Sequence, residues 1–230
     1  MSSAEFEAKE SGAKESEAKE FEAKLLTSAT WGDLEELFGL PGGSIVRGCW
    51  CMYYRRSGRP VVPPELAGRE LSPGEFNKWS LCDLVERGVV PGLVGYLGGE
   101  PVGWISLGPR EDYAKLRRSP VMKPVDDTPV WSVVCSFVAR RQRGHGLQHW
   151  LLAAGIDFAL RSGARVLEAY PVDKAERSHD DFMFFGSRSL YERAGFTGVV
   201  RRSPTRVVMR LDLVGRADSQ AAPKGPARPT

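Results

Sequence analysis

The sequence predicts a mixed α/β protein, with a sheet that begins antiparallel and is flanked by helices, and three stretches carry that prediction. LVGYLGGEPVGWISL is a pair of β-rich runs around Gly98 and Gly99, which reads as a hairpin because both glycines accept the positive φ of a tight turn. WSVVCSFV, residues 131–138, is an almost uninterrupted apolar run, as a strand covered on both faces requires. That run leads straight into a glycine-containing loop and then a helix, in which Leu147, Leu151, Ala154 and Phe158 recur at intervals of four, three and four.

The remaining elements follow in chain order. Residues 5 to 24 form a degenerate five-residue repeat in which Glu5, Glu10, Glu15 and Glu20 each stand four residues before a lysine, the better orientation for helical ion pairs of about 0.2–0.5 kcal/mol each. A five-residue period turns about 140° per repeat on a helix, so it builds no apolar stripe. Residues 1–26 are therefore expected to be a charged helical or disordered extension, 27–214 the functional domain, and 215–230, rich in Pro, Ala and Gly, a disordered tail. Inside the domain a short helix is expected at Trp31 to Phe38, stopped by Gly39 and Pro41, then a strand through Gly48 to Arg55 with Cys49, Cys51 and Tyr53 on one face. Phe76, Trp79, Leu81, Leu84 and Val85 mark a core-facing helix over Pro73 to Arg87, capped by Gly88.

Composition bounds the function. In 230 residues, 42% are hydrophobic and 27% charged, enough to bury a full core. Lys and Arg number 32 against 29 Asp and Glu, a formal charge of +3, which is too balanced to imply nucleic acid or a membrane surface as partner. The longest apolar runs are about half of the roughly 20 residues a spanning helix needs. Four cysteines (Cys49, Cys51, Cys82, Cys135) show no Cys-x-x-Cys spacing, and no basic segment followed by an apolar one opens the chain, so a reduced, cytoplasmic setting is expected. His145 and His149 stand four apart, but without a Glu between them in a His-Glu-x-x-His pattern or a third ligand they predict no metal.

The chemistry concentrates after Val138. A strand that ends in a glycine-bearing loop at a helix N-terminus presents free backbone N–H groups and the positive dipole end to one point, an anion site. The loop is not a P-loop, since no Gly-x-x-x-x-Gly-Lys-Ser/Thr occurs, nor the dinucleotide fingerprint, since His149 stands where a third glycine would be. What remains is Arg141-x-x-Gly144-x-Gly146.

That pattern resembles the acetyl-CoA pyrophosphate loop, Arg/Gln-x-x-Gly-x-Gly/Ala, of the GCN5-related N-acetyltransferases (GNAT). Downstream, Ser189-Leu190-Tyr191-Glu192-Arg193-Ala194-Gly195-Phe196 is similar to the family's second signature, a short helix bearing Tyr and ending in Gly-Phe. The likeness covers about residues 31 to 213, and in detail is nearest to actinobacterial members with VGWISLGPR, VDDTPVWSVVC and EAYPVD segments. It implies a GNAT-like, mostly antiparallel sheet of about six to seven strands, splayed between strands 4 and 5. It also implies transfer of an acetyl group from acetyl-CoA to a primary amine of a small molecule or peptide, by direct attack in a ternary complex, without a metal. As monomer or homodimer, such a protein needs neither nucleic acid nor membrane. The alternative is a catalytically silent acyl-CoA-binding or interaction module on the same fold.

The resemblance also implies roles. Backbone amides of Arg143, Gly144, His145, Gly146 and Leu147 would hold the pyrophosphate, with Arg141 or Arg143 adding charge, and pantetheine would pair with Phe137, Val138 and Ala139. Tyr191 would protonate the departing thiolate, its phenol being neutral at physiological pH. Phe184 and Ser187 stand where the family often has Asn and Ala, seven and four residues before this Tyr. Because an ammonium has no lone pair, the amine must lose a proton, and Glu168 is the first candidate base, with Asp173 the second. Tyr53, Tyr54, Trp79 and Trp104 come from segments that usually wall the acceptor side, while Cys135, mid-strand, is expected to be structural.

Overall fold

The computed structural model describes residues 20–56, 64, 68, 70–173 and 184–215. Seven strands form one sheet in the order β1-β2-β3-β4-β5-β7-β6. The hairpin joins β2 (Gly92–Leu97) to β3 (Glu100–Pro109), with Gly98 at φ 59° and Gly99 at φ 83°. Next to β3 lies β4 (Trp131–Val138), antiparallel over its length, and then β5 (Val166–Ala169), the one parallel neighbour. The sheet closes with β7 (Arg206–Asp212) and, at its edge, β6 (Thr197–Ser203).

Two cores sit on the two faces. One lies under α5 (Leu147–Arg161), whose Leu147, Leu151, Leu152 and Ile156 pack on Val102, Ile105, Leu107, Val133 and Val138. The other lies under α1 (Trp31–Gly39) and α2 (Ser44–Cys49), and is built on Leu34, Phe38, Trp50, Trp104 and Phe137. Alongside runs α3 (Pro73–Glu86), which starts at a capping box: the Glu75 amide donates to Ser72 Oγ at 3.3 Å and the Ser72 amide to Glu75 Oε2 at 2.8 Å. Two short helices, α4 (Ala114–Arg118) and α6 (Arg188–Arg193), complete the set. No helix among the described residues is long and apolar enough to cross a membrane.

Two expectations change. Residues Phe21–Leu25, read as the end of a helical spacer, form the edge strand β1, antiparallel to β2. Their burial alternates over Phe21 to Lys24, in for Phe21 and Ala23 and out for Glu22 and Lys24, a period of two that the i,i+4 charge pattern conceals. Leu26, just beyond, is wholly buried. Residues 1–19 of the charged repeat and 216–230 of the tail lie outside the described residues.

The expected strand through Gly48 to Arg55 is instead the end of α2 followed by a turn, with Trp50 at φ 46° and Cys51 at φ 53°. Trp50, Cys51 and Met52 are all buried in succession, so no strand alternation holds. Packing of Trp50 against Trp31 (5.8 Å) and Phe38 (5.1 Å) compensates for left-handed backbone at two non-glycine residues. Strand β5 ends at Ala169, and Val172 beyond it makes single bridges to Ser187 and Arg206.

Candidate functional site

The site is prepared by a parting of two strands. β4 and β5 pair only through Trp131–Leu167, Ser132–Glu168 and Val133–Ala169, after which the sheet opens between them. The apex of the opening is occupied by the segment before α6. Ser136 of β4 donates its backbone N–H to Phe184 O at 2.7 Å, Val172 donates to Gly186 O at 2.9 Å, and Arg188 donates to Val172 O at 3.0 Å.

Alternation along β4 decides which main-chain groups face that opening. The Ala139 N–H donates to Val102 O, and Phe137 pairs with Trp104, so both are turned toward β3. Val138, between them, faces the open side, and its carbonyl accepts from Arg143 Nε at 3.1 Å. Of the three residues expected to pair with a ligand, only Val138 therefore offers its backbone to the opening, because strand pleat sends its neighbours the other way.

Beyond β4 the chain makes one 3-10 turn, Arg140–Gln142, and reaches the glycines. Gly144 has φ 85° and Gly146, which caps α5, φ 76°, and a Cβ at either would meet nothing within 4 Å. Both positions thus combine a backbone that disfavours side chains with open space above it. Arg141 and His145 are exposed and Arg143 is half-buried, while Leu147 turns into the core. The loop is tied to α6 through His149, whose Nε2 lies 2.9 Å from Arg193 Nη2 and 3.2 Å from Arg193 Nε. An imidazole nitrogen facing two guanidinium donors is an acceptor, so it is engaged by protein rather than shared with His145. Among the described residues no group of three or more His, Cys, Asp or Glu is arranged to hold a metal ion.

Tyr191 lies on α6, the helix that follows the wedge, and belongs to the core under α5. It is 1% exposed, its ring packs edge-on against Phe196 at 5.1 Å, and burial pushes its phenol well above the ordinary tyrosine value. Close passage of the chain at Gly186 (φ 72°) makes this possible, since a Cβ there would stand 3.2 Å from the Tyr191 ring.

Glu168 lies on the opposite face and is fully buried. One oxygen accepts from Arg110 Nη1 at 2.5 Å and the Tyr170 hydroxyl at 2.8 Å, and the other from Arg210 Nε at 2.8 Å. Arg210, its cross-strand partner on β7, is held further by Asp126 at 2.7 and 3.1 Å, and Ser132 completes the net at 2.8 Å from the Tyr170 hydroxyl. Arg210 holds the Asp126 carboxyl well below the usual carboxylate range. Asp173 is likewise engaged, by Arg201 and by Arg188 Nη1 at 3.2 Å, and both lower its pKa.

The four aromatics expected on the acceptor side separate. Tyr53 and Tyr54 meet each other at 4.9 Å, and Tyr54 meets Phe185 at 5.4 Å; burial pushes the Tyr54 phenol up to about 12. Trp104 is wholly buried and donates to Cys51 Sγ at 3.1 Å, and Trp79 packs on Phe76 of α3, so neither joins them. Cys135 is a buried free thiol on β4. The wedge at Phe184, the Glu168 network and the placement of Arg206 described below have no local sequence signal, because each joins segments far apart in the chain.

Compared with known proteins, residues 65–196 match the model of the acetyltransferase (GNAT) family. No curated protein sequence matches the chain. Among solved structures, the aminoglycoside acetyltransferase AAC(6')-Ib, in complex with coenzyme A, is 16% identical and superposes with a TM-score of 0.51, over 88% of this chain and 100% of that one. The PaiA N-acetyltransferase of Thermoplasma acidophilum, in complex with coenzyme A, is 12% identical over 84% of this chain and 99% of that one, with a TM-score of 0.46. An N-acetyltransferase of Staphylococcus aureus is 13% identical over 84% and 99%, with a TM-score of 0.47.

Proposed function

The chain belongs to the acetyltransferase (GNAT) family, and from that premise we propose that it is an N-acetyltransferase, moving an acetyl group from acetyl-CoA to a primary amine of a small molecule or peptide by direct attack in a ternary complex. The observation that carries the proposal is the pair of positive-φ glycines with open space above them, placed between β4 and the first turn of α5 at the mouth of the parted strands. Backbone amides of Arg143, Gly144, His145, Gly146 and Leu147 would hold the pyrophosphate at a helix N-terminus, where exposed Arg141 adds positive charge. The open-side backbone of Val138 would take the pantetheine amide.

Acetyl-CoA supplies the acyl group; the chain supplies orientation and proton handling. Tyr191, buried and kept neutral, would donate a proton as negative charge develops on sulfur. Glu168 and Asp173 each hold two guanidinium groups, and freeing either carboxylate would leave cations uncompensated. The acceptor's proton is therefore assigned to water, and Glu168 to fixing Arg110, Tyr170 and Arg210 on the acceptor face.

Isothermal titration with acetyl-CoA, beside Gly144→Glu, tests the proposal, since the variant adds a side chain and a negative charge over the anion site. Binding on the order of micromolar by the wild type, abolished in a variant that still melts cooperatively, is the expected result. No binding by folded wild type overturns the acetyltransferase reading.

A further inference from the structure

Four arginines near the parted strands are matched to carboxylates. Arg110 and Arg210 hold Glu168, with Asp126 also on Arg210, while Arg188 and Arg201 hold Asp173. Arg206 is not, and unlike Arg202, whose guanidinium is shared between the Lys123 and Pro124 carbonyls, it reaches a single carbonyl. It opens β7, is half-buried, and among the described residues forms no ion pair. Its Nη1 donates to Tyr170 O at 2.9 Å and its guanidinium lies 4.7 Å over the centre of the Phe185 ring. One carbonyl dipole and one ring face compensate a desolvated cation only in part, and burial accordingly lowers its pKa. The other N–H donors of its fork have no partner among the described residues.

The position matters as much as the charge. Phe185 stands between Phe184, bonded to β4, and Gly186, bonded to Val172 just beyond the end of β5, so Arg206 lies over the apex where the strands part. Its bridge to Val172 and its bond to Tyr170 fix it to the end of β5. Tyr54, 5.4 Å from Phe185, and Tyr170, 6.1 Å from it, continue an aromatic wall beside the guanidinium. None of the partners of Arg206 belongs to the glycine loop, so it stands apart from the proposed pyrophosphate site.

We propose that the acceptor is an amine that carries a carboxylate, an amino acid with an apolar or planar side chain, and that Arg206 binds this carboxylate while Phe185 and Tyr54 receive the side chain. The inference rests on the acetyltransferase reading and narrows its substrate. A planar, two-oxygen anion matches the guanidinium fork. A single negative charge suits the site because Asp173 and Glu192 together neutralise Arg188 and Arg201, the neighbouring cations. Arg206 is thus a specificity residue that touches substrate away from the reacting amine.

The test measures thiol release from acetyl-CoA with the twenty L-amino acids, β-alanine and γ-aminobutyrate, each beside its carboxamide and its decarboxylated amine. Wild type, Arg206→Gln and Arg206→Lys are compared, and acetyl-CoA affinity serves as the control for folding. The expected result is a preference for the acid over its carboxamide of at least about tenfold in kcat/KM, lost in Arg206→Gln chiefly through KM and partly kept in Arg206→Lys. Acetyl-CoA affinity stays unchanged in both variants. Acetyl-CoA binding without turnover of any carboxylate-bearing amine of the panel, or a preference that survives Arg206→Gln, overturns the inference and leaves the acetyltransferase reading standing. Failure of wild type to bind acetyl-CoA removes both.

Discussion

At Tyr191, burial sets the protonation state that the role proposed for this side chain requires. Its ring is enclosed by Phe196, Leu190 and the glycine turn at Gly186, and the lost hydration disfavours the phenolate. A tyrosine raised above its reference value of about 10 keeps its proton through the whole physiological range, which suits a donor and excludes a base. Tyr191→Phe is therefore expected to lower kcat by about 10²- to 10⁴-fold with acetyl-CoA affinity unchanged. In the wild type, kcat should show no falling limb from this group up to about pH 10. Stopped assays of kcat against pH check both, and full activity in Tyr191→Phe, or a limb below pH 9 that the substitution removes, would overturn the role. Tyr191 could be singled out because it sits in a local signature. The partners of Glu168, which the sequence offered as a base, and the placement of Arg206 could not, because a carboxylate or a guanidinium on a strand reads the same whether it meets solvent or a partner far along the chain.

Among the elements, α5 lies close to the sheet because two strands withdraw their side chains beneath it. Gly95 of β2 and Gly103 of β3 are register partners, and a Cβ on either would approach a Leu151 methyl at 2.7 Å. Gly155, on α5 itself, similarly makes room for Ile105, at 3.1 Å. Since α5 carries the glycine loop on its first turn, this packing sets where the anion site stands relative to β4. Gly103→Val should force Leu151, which is wholly buried, out of its place and cost about 1–3 kcal/mol. At roughly 2–4 °C per kcal/mol for a chain of this size, the melting temperature should fall by several degrees, and an unchanged melt would show that the helix is free to lift. Helix α5, the hairpin and β4 could be read from periodicity and glycine positions alone. The segment after α2 could not, because Cys-Trp-Cys-Met-Tyr-Tyr alternates like a strand while tertiary packing of Trp50 holds it in a left-handed turn.

At the scale of the molecule, one sheet carries two cores, and the join between its halves is narrow. β1 to β4 form one antiparallel half and β5 to β7 the other, linked in the sheet by three residue pairs and by the wedge of residues 184–188. The loop and Val138 border that join, and Tyr191 stands on the helix that follows the wedge, so a ligand engaging all of them would add a further link between the halves. Under the proposed function, acetyl-CoA at about one hundred times its dissociation constant should stabilise the folded state by about 2.7 kcal/mol. For a chain of this size that is a rise of roughly 5–10 °C in melting temperature. Hydrogen exchange should place the protection at the backbone amides of Val138, residues 143–149 and 184–191, on both sides of the opening, with the β2–β3 turn at Gly98 and Gly99 unchanged. Gly144→Glu should abolish both the thermal shift and this pattern. Protection confined to the cleft of about 630 Å³ between β1 and α5, lined by Phe21, Lys24 and Trp150, would instead place the ligand away from the parted strands and overturn the assignment of the site.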